Sequence, residues 1–287
     1  NKTQKFYKNF YVFGVSLNAL FSQILKTIKD KTMQLRQKAR EIFEKLLGGA
    51  KKDQLFASDK EYFINHINFT FGESFVKANL DTQKYFLITL ASTLAVGGKI
   101  EFKALLQGAI KNDISPIVIK EVIYQATPYV GFARVCDFLS LCNKVFKKLN
   151  IALVLTPQGT TTQENRKIKG REIQNTIFSE ANITKMIEST PEDKAFINDF
   201  LSANCFGDYY TRMGLDLKTR ELLTLVYLIS LGGLDNQVKA HIQGNLNMGQ
   251  SRKDLLNIIA ALIPYIGYPK ALNALNLLDD IKVECKQ

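Results

Sequence analysis

The chain has two histidines, His66 and His241. Imidazole changes charge near pH 6.5, at about neutral, so a positioned histidine can take a proton and return it. Upstream of His241 stands Arg220-Glu221. Glu221 could orient or polarise the imidazole, and Arg220 could hold a substrate carboxylate in a two-pronged ion pair. Each has a structural alternative: a satisfied histidine in a buried polar network, and for Arg220 a helix-to-helix ion pair. His66 lies among Asn65, Asn68 and Thr70 and reads as a surface residue.

What singles out His241, Glu221 and Arg220 is an internal comparison. Sliding the chain by 135 residues lays Phe71-Gly72-Glu73 on Phe206-Gly207-Asp208, Leu80-Asp81 on Leu215-Asp216, and Gly97-Gly98 on Gly232-Gly233. One residue later in offset, Gln107-Gly108 falls on Gln243-Gly244, and Pro128-Tyr129 with Gly131 falls on Pro264-Tyr265 with Gly267. Glycine and proline constrain backbone geometry, so their coincidence at a nearly fixed offset points to duplication. In the first copy Arg220, Glu221 and His241 are replaced by Tyr85, Phe86 and Leu105. Positions that take Phe and Leu in a matched scaffold are at least partly buried. Ionisable groups there must be paired with one another or with a ligand. Tyr129 and Tyr265 could line a pocket beside Gly131 and Gly267. Their presence in both copies makes packing at a proline kink the better reading, and Gln243, Tyr265 and Gly267 stand as the weaker pocket candidates.

The elements that would hold these residues are helical. Apolar residues recur at helical spacing over 80–96 and 215–231, without sustained period-two alternation. Ser115-Pro116 reads as a helix start with proline in the first turn, and Ser251-Arg-Lys-Asp254 as a capping box. The expected organisation is a basic helical arm at 1–52, one repeat at 53–150, a linker at 151–190 with room for a short helix around 174–178, and a second repeat at 191–287. In the arm, Phe13, Leu17, Leu20, Phe21, Ile24, Leu25 and Ile28 follow helical spacing, and Leu35 to Leu47 form a second amphipathic stretch closed by Gly48-Gly49.

The second copy resembles the carboxymuconolactone decarboxylase family of the alkyl hydroperoxidase D-like superfamily. The resemblance is carried by Leu215-Asp216-Leu-Lys-Thr-Arg220-Glu221-Leu, Gly232-Gly233, Lys239-Ala-His241-Ile-Gln-Gly244 and Pro264-Tyr-Ile-Gly267-Tyr-Pro269. The first copy carries a weaker version, so the likeness spans most of 58–283 and is to tandem members. It implies an all-α fold of packed hairpins, a homo-oligomer, and cofactor-free decarboxylation of a small carboxylated lactone or β-keto-type acid. His241 would then be the general acid/base. The redox branch of the superfamily places Cys-x-x-Cys just before the histidine; here that stretch reads Leu234-Asp-Asn-Gln237, without a thiol. Peroxidase activity, with Cys205 as a lone thiol, is therefore an alternative, and a non-catalytic ligand-binding or scaffold protein is another.

Composition narrows the rest. The chain of 287 residues is 46% hydrophobic and 23% charged, an ordinary globular balance. Its net charge of +11 is concentrated in 1–52, where 12 Lys and Arg face only Asp30, Glu41 and Glu44. A nearly neutral body argues against nucleic acid as a partner. Cys136, Cys142, Cys205 and Cys285 show no disulfide or zinc spacing and fit reduced thiols in the cytoplasm. The stretch 10–25 is too broken by Gly14, Ser16, Asn18, Ser22 and Gln23 to favour a signal segment. A membrane-surface helix is the minority reading of the arm. No nucleotide loop or metal-ligand motif occurs, so neither cofactor nor metal is expected.

Overall fold

The computed structural model describes residues 34–48 and 58–281, and among these every regular element is helical. The amphipathic stretch of 10–28 lies outside the described residues. Helix α1 (Gln37–Leu47) buries Ala39, Phe43, Leu46 and Leu47. Then come α2 (Lys60–Phe69), a π-helical turn at Thr70–Ser74 and the short α3 (Phe75–Ala78). The core of this half is α4 (Thr82–Val96) with α5 (Lys99–Lys111), followed by α6 (Pro116–Gln125), α7 (Thr127–Val130) and α8 (Phe132–Lys148).

After a connecting stretch the chain forms α9 (Arg166–Phe178), α10 (Glu180–Glu188) and α11 (Phe196–Phe200), which runs into a ten-residue π-helix, Leu201–Tyr210. Next are α12 (Leu217–Leu231), α13 (Asp235–Asn247), α14 (Arg252–Ile266) and α15 (Tyr268–Asp279). No described helix is long and apolar enough to cross a membrane.

The helix pairs α4–α5 and α12–α13 are built alike. Helices α4 and α12 are both 15 residues long and start alike: Asp81 accepts from the Lys84 amide and Asp216 from the Thr219 amide, each at 2.7 Å. Such a cap contributes about 1 kcal/mol. Helices α5 and α13 are both 13 residues long. α4 and α12 pack on each other at the centre, where the Ser230 hydroxyl donates to Ser92 at 2.9 Å. Two positive-φ glycines, Gly232 and Gly233, reverse the chain between α12 and α13.

The two matched prolines behave differently. Pro128 lies in the first turn of the separate helix α7, whereas Pro264 stays inside the continuous α14. Proline has no N–H, so the Ala260 carbonyl one turn back loses its helical donor. The Ser74 hydroxyl donates to it instead, at 2.8 Å.

The segment read as a linker contains a full three-turn helix rather than a short one. Its composition is polar, but Gly170 and Gly207 let α9 lie directly on the π-helix 201–210. A Cβ at Gly170 would collide with the Ser202 carbonyl, and one at Gly207 with the Arg166 carbonyl. α1 occupies the matching place in the first half. Arg36 pairs with Glu73 as Arg166 pairs with Asp208, and Leu46 and Leu47 close on Gly108 as Ile177 and Phe178 close on Gly244. Replacing Gly170 with Ala should therefore destabilise by about 1–3 kcal/mol or more through overpacking. Gly159→Ala, at an exposed site where a Cβ would meet only the Arg212 guanidinium at ordinary contact distance, should leave the urea midpoint nearly unchanged.

Candidate active site

Helix α12 carries Arg220, Glu221, Thr224 and Tyr227 into the interior, because it is enclosed by α4, α13 and α6. Glu221 has 0% of its surface exposed. A carboxylate in that position is tolerable only if its oxygens are hydrogen-bonded. Oε1 lies 2.7 Å from His241 Nδ1, and Oε2 accepts from the Tyr210 hydroxyl at 2.9 Å. The Tyr210 hydroxyl also lies 2.6 Å from Thr224 Oγ1, and Tyr129 donates to it at 3.2 Å. Burial pushes the Tyr129 and Tyr210 phenols far above their usual range, and the Glu221 charge adds to the effect at Tyr210. Both therefore remain protonated donors.

An ionised carboxylate can only accept, so the proton of the His241–Glu221 bond sits on Nδ1. Nε2 is then the ring nitrogen left for a ligand, and it takes no partner among the described residues. His241 keeps 12% of its side chain exposed and lines a cavity of about 430 Å³. The ring is fixed edge-on by Phe178 and Tyr129, at centroid distances of 5.4 and 6.3 Å. Gly244 is as much a part of the site as the dyad, since a Cβ there would strike Glu221 Oε1.

Arg220 is equally buried but points elsewhere. Neighbouring residues on a helix lie about 100° apart. Its guanidinium donates to Glu121 Oε2 at 2.9 Å, to Gln125 Oε1 at 3.0 Å, and to the Arg212 and Met213 carbonyls at 2.8 Å each. Arg212 holds the other side of the Glu121 carboxylate. Arg220 therefore meets the dyad only indirectly, through Gln125 and its 3.4 Å bond to Thr224. The anion-binding role drawn from the sequence gives way to the other reading, an interhelical ion pair.

The structure also moves the weaker pocket candidates. Gln243 is exposed and donates to Asn247, Gly267 ends α14, and the Tyr265 hydroxyl lies 2.7 Å from that of Tyr85. None of the three lines the His241 cavity. The matched tyrosine that does so is Tyr129, because the first-half turn Pro128-Tyr129 crosses onto α12, where its ring stacks on Tyr227. His66 is half-buried rather than a surface residue. Its Nδ1 lies 3.3 Å from Thr70 Oγ1, and burial lowers its pKa.

Sequence reasoning missed Tyr210, although its first-copy counterpart at the same offset is Phe75. The contrast that marked Glu221 and His241 would have found it. Among the described residues no group of three His, Cys, Asp or Glu side chains could hold a metal ion.

Residues 197–280 match the carboxymuconolactone decarboxylase family, a span that contains both members of the dyad. This region is a carboxymuconolactone decarboxylase domain. A 4-carboxymuconolactone decarboxylase of Acinetobacter baylyi is 25% identical to the chain over 118 residues, covering 41% of the chain and 87% of that relative. Tyr129 and Phe178 lie outside the carboxymuconolactone decarboxylase domain yet border its histidine, so flanking sequence completes the site.

Two results are expected. Glu121→Ala leaves Arg220 charged and buried with its main partner removed, and should cost about 3–5 kcal/mol in a urea denaturation. Burial pushes the Cys142 and Cys205 thiols up to about 12. In the native protein at pH 8 (a working choice well below either value), iodoacetamide should label the exposed Cys136 and spare Cys142 and Cys205.

Proposed function

We propose that the chain is a cofactor-free carboxy-lyase acting on a small carboxylated lactone or β-keto acid in the His241 cavity. The observation that carries this reading is the buried Glu221 carboxylate held 2.7 Å from His241 Nδ1, with the same ring bordering the cavity. The family of the domain and the distant decarboxylase relative support it. The bond to the carboxylate carbon breaks, CO2 leaves, and the electron pair passes into an enolate. Protonated His241 donates a hydrogen bond to the enolate oxygen, with Tyr129 bordering the same space. His241 Nε2–H then delivers a proton to the carbon and is recharged from solvent. Glu221 fixes the tautomer and stabilises the imidazolium, and Tyr210 holds Glu221 in place.

We read the two halves as copies of one unit, of which the first has exchanged its dyad for Phe86 and Leu105 and now supplies Tyr129 to the second. The thiol-peroxidase alternative is weaker, because a thiol held near 12 supplies almost no thiolate at neutral pH.

Turnover of a panel of β-keto acids and carboxylated lactones tests the proposal. His241→Ala should lower kcat/KM by roughly 10²–10⁴-fold, with Glu221→Gln following it downward. Unchanged turnover in His241→Ala would reject the reading. If hydroperoxide consumption is found and disappears in Cys205→Ser, the thiol mechanism replaces it.

A further inference from the structure

A second cavity, of about 360 Å³, opens where the two halves meet at the first turns of α4 and α12. Its lining is drawn from matched positions: Asp81, Leu87 and Ile88 on one side, Asp216, Leu222 and Leu223 on the other. The four aliphatic side chains are buried and form an apolar floor. Gln83 and Lys84 match Lys218 and Thr219, so each half brings one lysine to the rim.

The polar groups around this floor leave donors in excess. Asp81 and Asp216 each spend an oxygen on an amide of their own helix, at 2.7 Å. The first amides of both helices have no acceptor within the helix. Lys218 gives one of its three protons to the Gly249 carbonyl at 2.8 Å, and Lys84 stands 4.0 Å from Asp81. A helix N-terminus carries about half a positive charge, so two of them with two ammonium groups outweigh the two aspartates by about one charge. The next carboxylate is Asp254, in the first turn of α14. Hydrogen bonds from Ser251 hold its pKa down, and Lys84 and Lys218 add to the effect, so both ammonium groups face one region. The N-terminus of α14 offsets about half of the Asp254 charge, and the balance stays positive.

Gln250 points to a ligand. It lines the cavity with 6% of its surface exposed, and its side-chain amide has no partner among the described residues. A buried amide left without a partner is costly. The matched residue is Ile114, in a loop built alike. The Ile114 amide donates to the Ala109 carbonyl at 3.0 Å, as the Gln250 amide does to Asn245 at 2.9 Å. Isoleucine thus fits that backbone, and the loop does not need a glutamine to form.

We propose that this cavity binds a small monocarboxylate with an apolar body, its oxygens on Lys84, Lys218 and Gln250 and its body on the aliphatic floor. The site shares no lining residue with the His241 cavity and does not depend on the lyase reading.

Isothermal titration of the full chain with benzoate, benzamide and inorganic phosphate, at fixed ionic strength, tests the proposal. Benzoate should bind at least about tenfold more tightly than benzamide, which lacks the charge, and than phosphate, which lacks the body. Both lysines reach solvent, so exchanging them puts little of the fold at risk. Lys84→Gln with Lys218→Gln should weaken benzoate at least about tenfold. Gln250→Ile, which copies the other half, should weaken it in the same direction. The lysine-dependent binding should persist in His241→Ala. Benzoate that binds no better than benzamide or phosphate overturns the proposal, as does binding that survives the double lysine substitution. Failure of all three probes to bind has the same force. Loss of the lysine-dependent binding in His241→Ala would place the ligand in the other cavity and also overturn it.

Discussion

The organising constraint is the burial of one carboxylate. Glu221 sits on a helix enclosed by its neighbours, and removing its charge from water costs several kcal/mol unless both oxygens are satisfied. His241 serves one oxygen and Tyr210 the other. Each requirement propagates outward. Gly244 must lack a side chain so that Oε1 has room, and Gly232-Gly233 must turn α13 back so that its histidine reaches α12. The π-helix has to present Tyr210 and Cys205 to the same interior. π-Helical segments are uncommon and often mark functional sites, and this one shapes both the carboxylate's support and the cavity wall.

A second buried network, Glu121 with Arg212 and Arg220, joins the halves without joining the chemistry. Glu121 comes from α6 and Arg220 from α12, so the bond spans first-half and second-half elements. An ion pair of this kind specifies how two helices meet more surely than it adds stability. It also holds α6, and through it the turn that delivers Tyr129, against α12. The position of the phenol beside His241 thus depends on an interaction on the far side of the helix.

Much of this was legible in the sequence, and the manner of reading explains the gaps. The all-α fold follows from helical periodicity and from glycine and proline punctuation, and the capping box at Ser251 and Asp254 is present as read. Glu221 and His241 stood out because the other half holds Phe86 and Leu105. Tyr210 opposite Phe75 carried the same signal and was overlooked. Tyr129 gave no contrast, since tyrosine occupies both matched positions, and only the crossing of the chain decides that Tyr129 and not Tyr265 reaches the histidine. Arg220 shows the same contrast, against Tyr85, yet adjacent residues on a helix face different directions and its guanidinium serves Glu121. Helix α9 was hidden by its polar composition. It is held through backbone approach at Gly170 and Gly207, which hydrophobic patterning does not register.

The most direct test of the account is the tautomer of His241. With two histidines in the chain, nitrogen-15 imidazole NMR can assign both rings. The account predicts that neutral His241 carries its proton on Nδ1, that Glu221→Gln disturbs this state, and that a cyclopentanone-type keto acid shifts the Nε2 resonance. A neutral ring protonated on Nε2, indifferent to both Glu221→Gln and the keto acid, would contradict it.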